Sequence, residues 1–313
     1  MKAAVVRTAG ATPSYDAMPM PIAGEGEWLI KVAAAALFPL VRARASGQHY
    51  TASSQYPFVA GVDGVGRLAD GRRVYFLLPR PPHGSMAEYS VAPATHCIPL
   101  PDALDDVTAA AIANPGVSSW AALLERAHLK RGETVLINGA TGISGQLAVQ
   151  IARHLGARKV IVTGRNRHKL SLLEADVAIP LEGDPKIMEQ RFEMEFADGV
   201  DVVLDYLWGA SAEGLLTAGA KAGPKTVPIR FVQVGTASGE NITLPGAVLR
   251  SSSIELIGSG IGSVPLPRVI ALIDEVMRAA ASHSFHIPTR AAPLPEIEQI
   301  WPREDDKRVV FTL

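Results

Sequence analysis

Cysteine is nearly absent: Cys97 is the single one in 313 residues. That excludes an internal disulfide framework and any zinc site built from several cysteines. Set between His96 and Ile98, Cys97 reads as a small core residue rather than a nucleophile. An excess of one charge is missing too, with 30 Lys plus Arg against 31 Asp plus Glu. Nothing in the composition therefore points to nucleic acid or to an anionic membrane surface. No apolar run reaches the roughly 18 residues that a bilayer span needs. The apolar run of Met1-Lys-Ala-Ala-Val-Val-Arg7 is too short for a secretory signal, and Asn241-Ile-Thr243 then reads as a chance glycosylation pattern. These absences imply a cytoplasmic protein. Internal repeats and low-complexity segments are also lacking.

What is present is a hydrophobic content of 48%, enough for a large core, in a chain whose length favours two domains over one. The most informative stretch begins at Thr134-Val-Leu-Ile137, a short β-branched run suited to a strand covered on both faces. Gly139, Gly142 and Gly145 follow at three-residue spacing, and Ile143, Leu147, Ile151 and Leu155 then mark one face of a helix. A turn of this kind offers backbone N–H groups and the positive end of a helix dipole to a pyrophosphate. The spacing therefore predicts a dinucleotide turn built from Gly139, Ala140, Thr141, Gly142, Ile143, Ser144 and Gly145.

Up to about Pro115 the chain reads as short strands separated by glycine turns, which suggests a small irregular β-barrel. Around Leu104 to Leu124 it becomes helical, with Asn114-Pro-Gly116 expected to separate two helices. Beyond Thr134, strands at 159–163, 177–180, 201–205, 229–235 and 254–258 alternate with helical segments. Such alternation predicts an α/β fold with a doubly wound parallel sheet, its cofactor at the carboxyl ends of the strands. The expected division is a substrate domain over 1–115, a nucleotide domain over 116–262, and a tail over 263–313 whose last strand, Arg308-Val-Val-Phe-Thr-Leu313, returns to the first domain.

The residue that reads the ribose stands about twenty positions past the glycine turn, where NAD sites carry an acid. Here the segment is Thr163-Gly-Arg-Asn-Arg-His-Lys169, with no acid. Arg165, with Arg167, Lys169 and the adjoining Gly164 and Asn166, suits a 2′-phosphate, so NADP(H) is expected over NAD(H).

Taken together the motifs resemble the zinc-independent, quinone-oxidoreductase-like branch of the medium-chain dehydrogenase/reductase superfamily, nearly end to end. The carriers are Gly61-Val-Asp-Gly-Val-Gly66, Gly84-Ser-Met-Ala-Glu-Tyr89, Asn114-Pro-Gly-Val-Ser-Ser-Trp-Ala-Ala-Leu123, Asn138-Gly-Ala-Thr-Gly-Ile-Ser-Gly145, Asp201-Val-Val-Leu-Asp205, Val234-Gly-Thr236 and Ile257-Gly-Ser-Gly260. The resemblance implies a GroES-like first domain around an inserted Rossmann domain. It also implies NADPH-dependent reduction of quinones or activated C=C bonds, often by a homodimer. It adds Ser118, Leu207, Gly235, Thr236, Ser259 and Gly260 to the expected cofactor site. The zinc-dependent relatives hold their metal with a cysteine near residue 40 and a Gly-His-Glu where this chain has Gly61-Val-Asp63; Ala36-Leu-Phe-Pro-Leu-Val-Arg42 has no cysteine, so no metal is expected. Many relatives carry Asn-x-x-Asp near Phe38 to Val41, where this chain is apolar.

Without a metal, the reaction needs the nicotinamide held against an electron-poor carbon and hydrogen-bond donors for the charge that develops. Backbone N–H groups of Gly258 to Gly262 and the side chains of His49 and Tyr50 are the candidates; His49 and Tyr50 also suit an ordinary loop tip. Asp63 reads as a partner for turn amides rather than a base. A short-chain reductase is excluded because none of Tyr15, Tyr50, Tyr56, Tyr75, Tyr89 and Tyr206 has a lysine four residues on. The alternative is a non-catalytic NADPH-binding sensor or scaffold, for which the apolar Leu37-Phe-Pro-Leu40 would be the mark.

Overall fold

The structure is a computed structural model, and it describes residues 1–48, 55–223, 226–283 and 285–313. The chain forms two compact units, Met1–Asn114 with Ile273–Leu313, and Pro115–Leu272. The second boundary lies inside the helix Leu266–His283, later than the expected division at 262–263. Turn residues signal a change of local structure, whereas a unit boundary is set by packing and can fall within a continuous helix.

The second unit is built on six strands, all parallel, in the order Val177–Pro180, Lys159–Gly164, Thr134–Asn138, Val202–Asp205, Ile229–Gln233, Ile254–Gly258. Strand order reverses beside Thr134–Asn138, so successive connections leave in opposite directions there and open a crevice at the carboxyl ends. Leu136, Ile161, Val203 and Phe231 share a core with Phe192, Phe196 and Leu215 from the helices Pro185–Gly199 and Ala210–Ala222. The helix Ile143–His154 packs on Thr134–Asn138 and Lys159–Gly164. The doubly wound α/β sheet is the predicted one. The outer strand Ile254–Gly258 leaves Glu255 and Leu256 exposed.

In the first unit, a seven-stranded sheet is organised by the eleven-residue strand Glu27–Leu37. Tyr89–Pro93 pairs with its first half, Asp63–Arg67 with its middle, and Arg308–Thr312 with Ala34 to Leu37. The tail therefore returns to the first unit as expected. Lys2–Val6 centres a separate three-stranded antiparallel sheet. In the long strand, the sequence pattern by itself marks only Trp28 to Val32 as β-like. Alanines have weak β propensity, and Ala33 to Ala36 are extended because a partner about 270 residues away supplies the ladder.

The expected break at Asn114-Pro-Gly116 does not occur: the helix runs from Asp106 to Ala121 through Pro115 and continues as a π-turn over Ala122–Arg126. A proline inside a helix removes one N–H and strains one turn. Burial of Ala109 to Ala113 and of Trp120 to Leu123 on either side outweighs that loss. By length and hydropathy Asp106–Arg126 is also apolar enough to cross a membrane. Two-thirds of its most apolar window is buried inside the fold, at 67%, which is how a core helix passes the same test.

Candidate functional site

Every strand of the parallel sheet but the first ends in residues singled out from the sequence. The strand Thr134–Asn138 leads into the glycine turn, and Gly139 sits at φ +92°, a conformation that favours glycine. A Cβ on Gly139 would lie 2.8 Å from the Leu207 side chain, so Leu207 packs directly against the turn. A Cβ on Gly145 would lie 2.6 Å from the Ala140 Cα and collide with the Gly139 carbonyl oxygen. Gly145 is there to let helix and turn touch. Gly142 differs from both. Its Cβ would meet nothing closer than the Gly139 oxygen at 3.6 Å, an ordinary contact, and the residue is exposed. Packing within the protein does not demand a glycine at 142. The space in front of it is left for something else.

Gly142 is also the N-cap of the helix Ile143–His154, and no side chain caps that end or places an acid in its first turn. The helix therefore presents N–H groups and the positive end of its dipole without internal compensation, an arrangement that receives phosphate. Gln146 braces the turn, its Nε2 donating to the Thr141 carbonyl at 3.0 Å.

Beneath the turn lies a polar cluster whose members each stand in a motif read from the sequence, although the motifs do not link them to one another. Asn138, Thr163 and Asp205 are fully buried. The Thr163 hydroxyl donates to Asn138 Oδ1 (2.5 Å) and accepts from the Gly139 N–H (3.2 Å). Asn138 Nδ2 donates to Asp205 Oδ1 (2.8 Å) and Ser211 Oγ (2.9 Å). Asp205 further accepts the N–H groups of Leu207 and Trp208 at 3.0 and 3.1 Å. Burial raises the Asp205 pKa, and these hydrogen bonds oppose the rise. The cluster ties the exits of three adjacent strands to one another and orients the backbone of Gly139 and Leu207. The sequence signal its members share is position: each stands at or near the carboxyl end of an apolar strand.

Gly164 closes the second strand, and a Cβ there would lie 2.6 Å from the Thr141 methyl. Arg165 and Asn166 follow, both exposed. Asn166 caps the short helix Arg167–Ser171 by accepting the Lys169 N–H at 2.9 Å. Arg165 carries no hydrogen bond or ion pair among the described residues. Gly235 and Thr236 follow the strand Ile229–Gln233, and Ser259 and Gly260 follow Ile254–Gly258. At about 4.8 Å per strand, Ser259 is about 14 Å along the sheet from the glycine turn. Ser118 lies on the helix Asp106–Ala121, beside Ser119, whose Oγ is 2.8 Å from the Tyr206 hydroxyl.

The expected backbone donors at 258–262 are partly spent. The Ser259 N–H donates to the Gln233 carbonyl and the Gly260 N–H to Ser263 Oγ. His49 and Tyr50 lie outside the described residues. Cys97 is half-buried, with its thiol pushed up to about 12 by burial, a pKa that leaves it a poor nucleophile.

Asp63 was expected to serve turn amides, but it is buried in the first unit and accepts instead from the Tyr75 hydroxyl at 2.7 Å. Burial pushes its pKa up to about 7, against that hydrogen bond and the positive charge of Arg308. The Arg308 guanidinium, also buried, stacks 5.3 Å from the Phe38 ring centre. Between the unfolded value of 3.8 and about 7 the folded chain holds more protons at Asp63 than the unfolded chain does. Stability contributed by this group therefore declines as pH rises through that interval and is flat above it. The difference in thermal midpoint between wild type and Asp63→Asn is expected to shift in favour of the variant from about pH 4.5 to about pH 7.5. A difference independent of pH over that range would contradict the assignment.

A parallel sheet whose carboxyl edge carries a glycine turn of this design defines a dinucleotide-binding α/β protein. The sequence profile of zinc-binding dehydrogenases matches residues 144–277. A probable NADPH-dependent quinone reductase, tdiC, of Emericella nidulans is 31% identical over 99% of both chains. Mouse prostaglandin reductase-3 is 29% identical over 71% of this chain, which spans 58% of that longer protein. The quinone oxidoreductase of Thermus thermophilus, solved also as its NADPH complex, superposes with a TM-score of 0.79, complete coverage of both chains and 27% identity. The chain belongs to the quinone-oxidoreductase-like family of medium-chain dehydrogenases/reductases.

Proposed function

We propose that this chain is an NADPH-dependent oxidoreductase that reduces a quinone or an activated C=C bond without a metal. The observation that carries the reading is the uncapped turn at Gly142, open where packing leaves it free to close, followed one strand later by Arg165 and no acid. The residues fit the cofactor. Gly139 to Gly145 would hold its pyrophosphate, Gly164 to Asn166 with Lys169 its adenosine ribose and 2′-phosphate, and Ser118, Leu207, Gly235, Thr236, Ser259 and Gly260 the remainder. When bound, the cofactor supplies a hydride, and a proton completes the two-electron reduction of the acceptor. The chain's own part is to bind and orient, since none of the described groups in the nucleotide unit stands out as an acid or base suited to proton transfer.

The test is oxidation of NADPH by the purified protein with a panel of benzoquinones, naphthoquinones and α,β-unsaturated aldehydes. Turnover of a panel member in the presence of a chelator is the expected result. Tight NADPH binding with no turnover of any member would favour the non-catalytic sensor or scaffold instead. A homodimer belongs to the same reading. The strand Ile254–Gly258 ends the sheet and has no strand on its outer side among the described residues, with Leu256 and Ile261 exposed nearby. An open apolar edge of that kind suits a second copy, and sedimentation as a single chain at micromolar concentration would count against it.

A further inference from the structure

Tyr206 has no place in the motifs, yet it touches most of the elements on which the proposed cofactor residues stand. Its N–H donates to the carbonyl of Asn138, the residue before Gly139, at 3.1 Å. Its own carbonyl accepts the Ala237 N–H at 3.2 Å and would lie 2.7 Å from a Cβ on Gly235, so Gly235 packs directly against it. Its hydroxyl is 2.8 Å from Ser119 Oγ, next to Ser118. Leu207, the following residue, leans on Gly139.

The direction of the hydroxyl contact follows from proton counting. Ser119 has one hydroxyl proton, and it is committed to the Pro115 carbonyl at 2.9 Å. With that proton on Pro115, Ser119 Oγ accepts from the Tyr206 hydroxyl, giving a relay from Tyr206 to Ser119 to Pro115. Burial pushes the Tyr206 pKa up, so the phenol keeps the proton that this role requires. Pro115 is the residue at which the helix lacks an N–H of its own. The relay thus links the proline-containing turn of the helix Asp106–Ala121 to the exit of the strand Val202–Asp205.

We propose that Tyr206 is a positioning residue that, through Ser119, sets the spacing between the Ser118 helix and the Leu207–Gly139 face and thereby tunes cofactor affinity. The proposal rests on the NADP(H) reading above. Tyr206 itself is assigned no contact with substrate or cofactor.

Tyr206→Phe, Ser119→Ala, the double variant and Ser119→Thr are compared by titration with NADPH, by KM and kcat, and by amide hydrogen exchange of the cofactor-free protein. Each of the first two is expected to weaken NADPH binding about fivefold, the loss of one ordinary hydrogen bond. The double variant should lose no more than Ser119→Ala alone, because that substitution already removes the bond to Tyr206. Ser119→Thr, which keeps a hydroxyl, should recover most of the affinity. KM for NADPH should rise by more than kcat falls, and exchange should quicken at 117–121 and 206–209. Unchanged affinity in Tyr206→Phe, or losses that add in the double variant, would overturn the proposal. If wild type binds no NADPH but Tyr206→Phe still quickens exchange at both segments, the cofactor reading fails and the relay's positioning of those segments stands. If exchange is unchanged as well, both fail.

Discussion

Gly142→Val is expected to fold like wild type and to lose NADPH affinity by about 100-fold or more. The argument rests on the contrast among the three glycines. At Gly142 a Cβ finds only ordinary contact with the protein, so the cofactor-free protein should keep its thermal midpoint to within a few degrees. Replacing a glycine N-cap by valine costs about 1 kcal/mol, small beside the expected loss of binding. A branched side chain placed before an uncapped helix end would instead fill the space that a pyrophosphate needs and hold it away from the N–H groups. Gly145→Ala is the control with the opposite signature. Its methyl would strike the backbone at Gly139 and Ala140, and neither can move aside as a flexible side chain would. That variant should unfold at lower temperature by an amount matching about 1–3 kcal/mol of overpacking, whether or not cofactor is present. Direct titration of NADPH and thermal denaturation of the cofactor-free proteins separate the two effects. An undiminished NADPH affinity in Gly142→Val would remove the turn from the site.

Arg165→Asp is expected to reverse the choice of nucleotide. A charge-assisted hydrogen bond to a phosphate contributes about 1.5–3 kcal/mol, so NADPH affinity should fall by about 10- to 100-fold. A carboxylate at the end of the second strand can accept from a ribose 2′-hydroxyl, so NADH affinity should rise. Because Arg165 is exposed and makes no hydrogen bond among the described residues, the substitution breaks no internal contact and its effect is read on binding alone. Raising the salt concentration should weaken NADPH binding to wild type more than to the variant, since screening acts on the charge that Arg165 supplies. Equal NADPH affinity before and after substitution would show that the 2′-phosphate is held elsewhere or not at all.

The resemblance to tdiC, a probable NADPH-dependent quinone reductase, at 31% identity over almost the whole chain, supports the quinone part of the proposal. In the first unit the apolar Leu37-Phe-Pro-Leu40 leads into the helix Pro39–Ala45, with Pro39 at its start. Phe38 is buried against Arg308.

Much of the nucleotide unit was legible in the sequence because its signals are local. A β-branched run, three glycines and a four-residue apolar repeat describe a strand, a turn and a helix that touch one another in sequence as they do in space. The parallel sheet followed from strict alternation, since a right-handed crossover leaves few other arrangements. The position of Arg165 was legible for the same reason, since it is counted from the strand before it; its hold on a 2′-phosphate is a proposal. Elsewhere the deciding partners are remote. Ala33 to Ala36 became strand because Arg308–Thr312 lies alongside, and Pro115 stayed within a helix because burial outweighed one lost hydrogen bond. Asp63 turned from a supposed turn acceptor into a buried carboxyl facing Tyr75 and Arg308. By itself, the amino-acid order determined the glycine turn, the nucleotide it prefers and the class of fold around them. The polar cluster of Asn138, Thr163 and Asp205, the Tyr206 relay and the state of Asp63 were decided by tertiary structure alone, because hydrogen bonds and desolvation depend on distances between residues that local spacing does not encode.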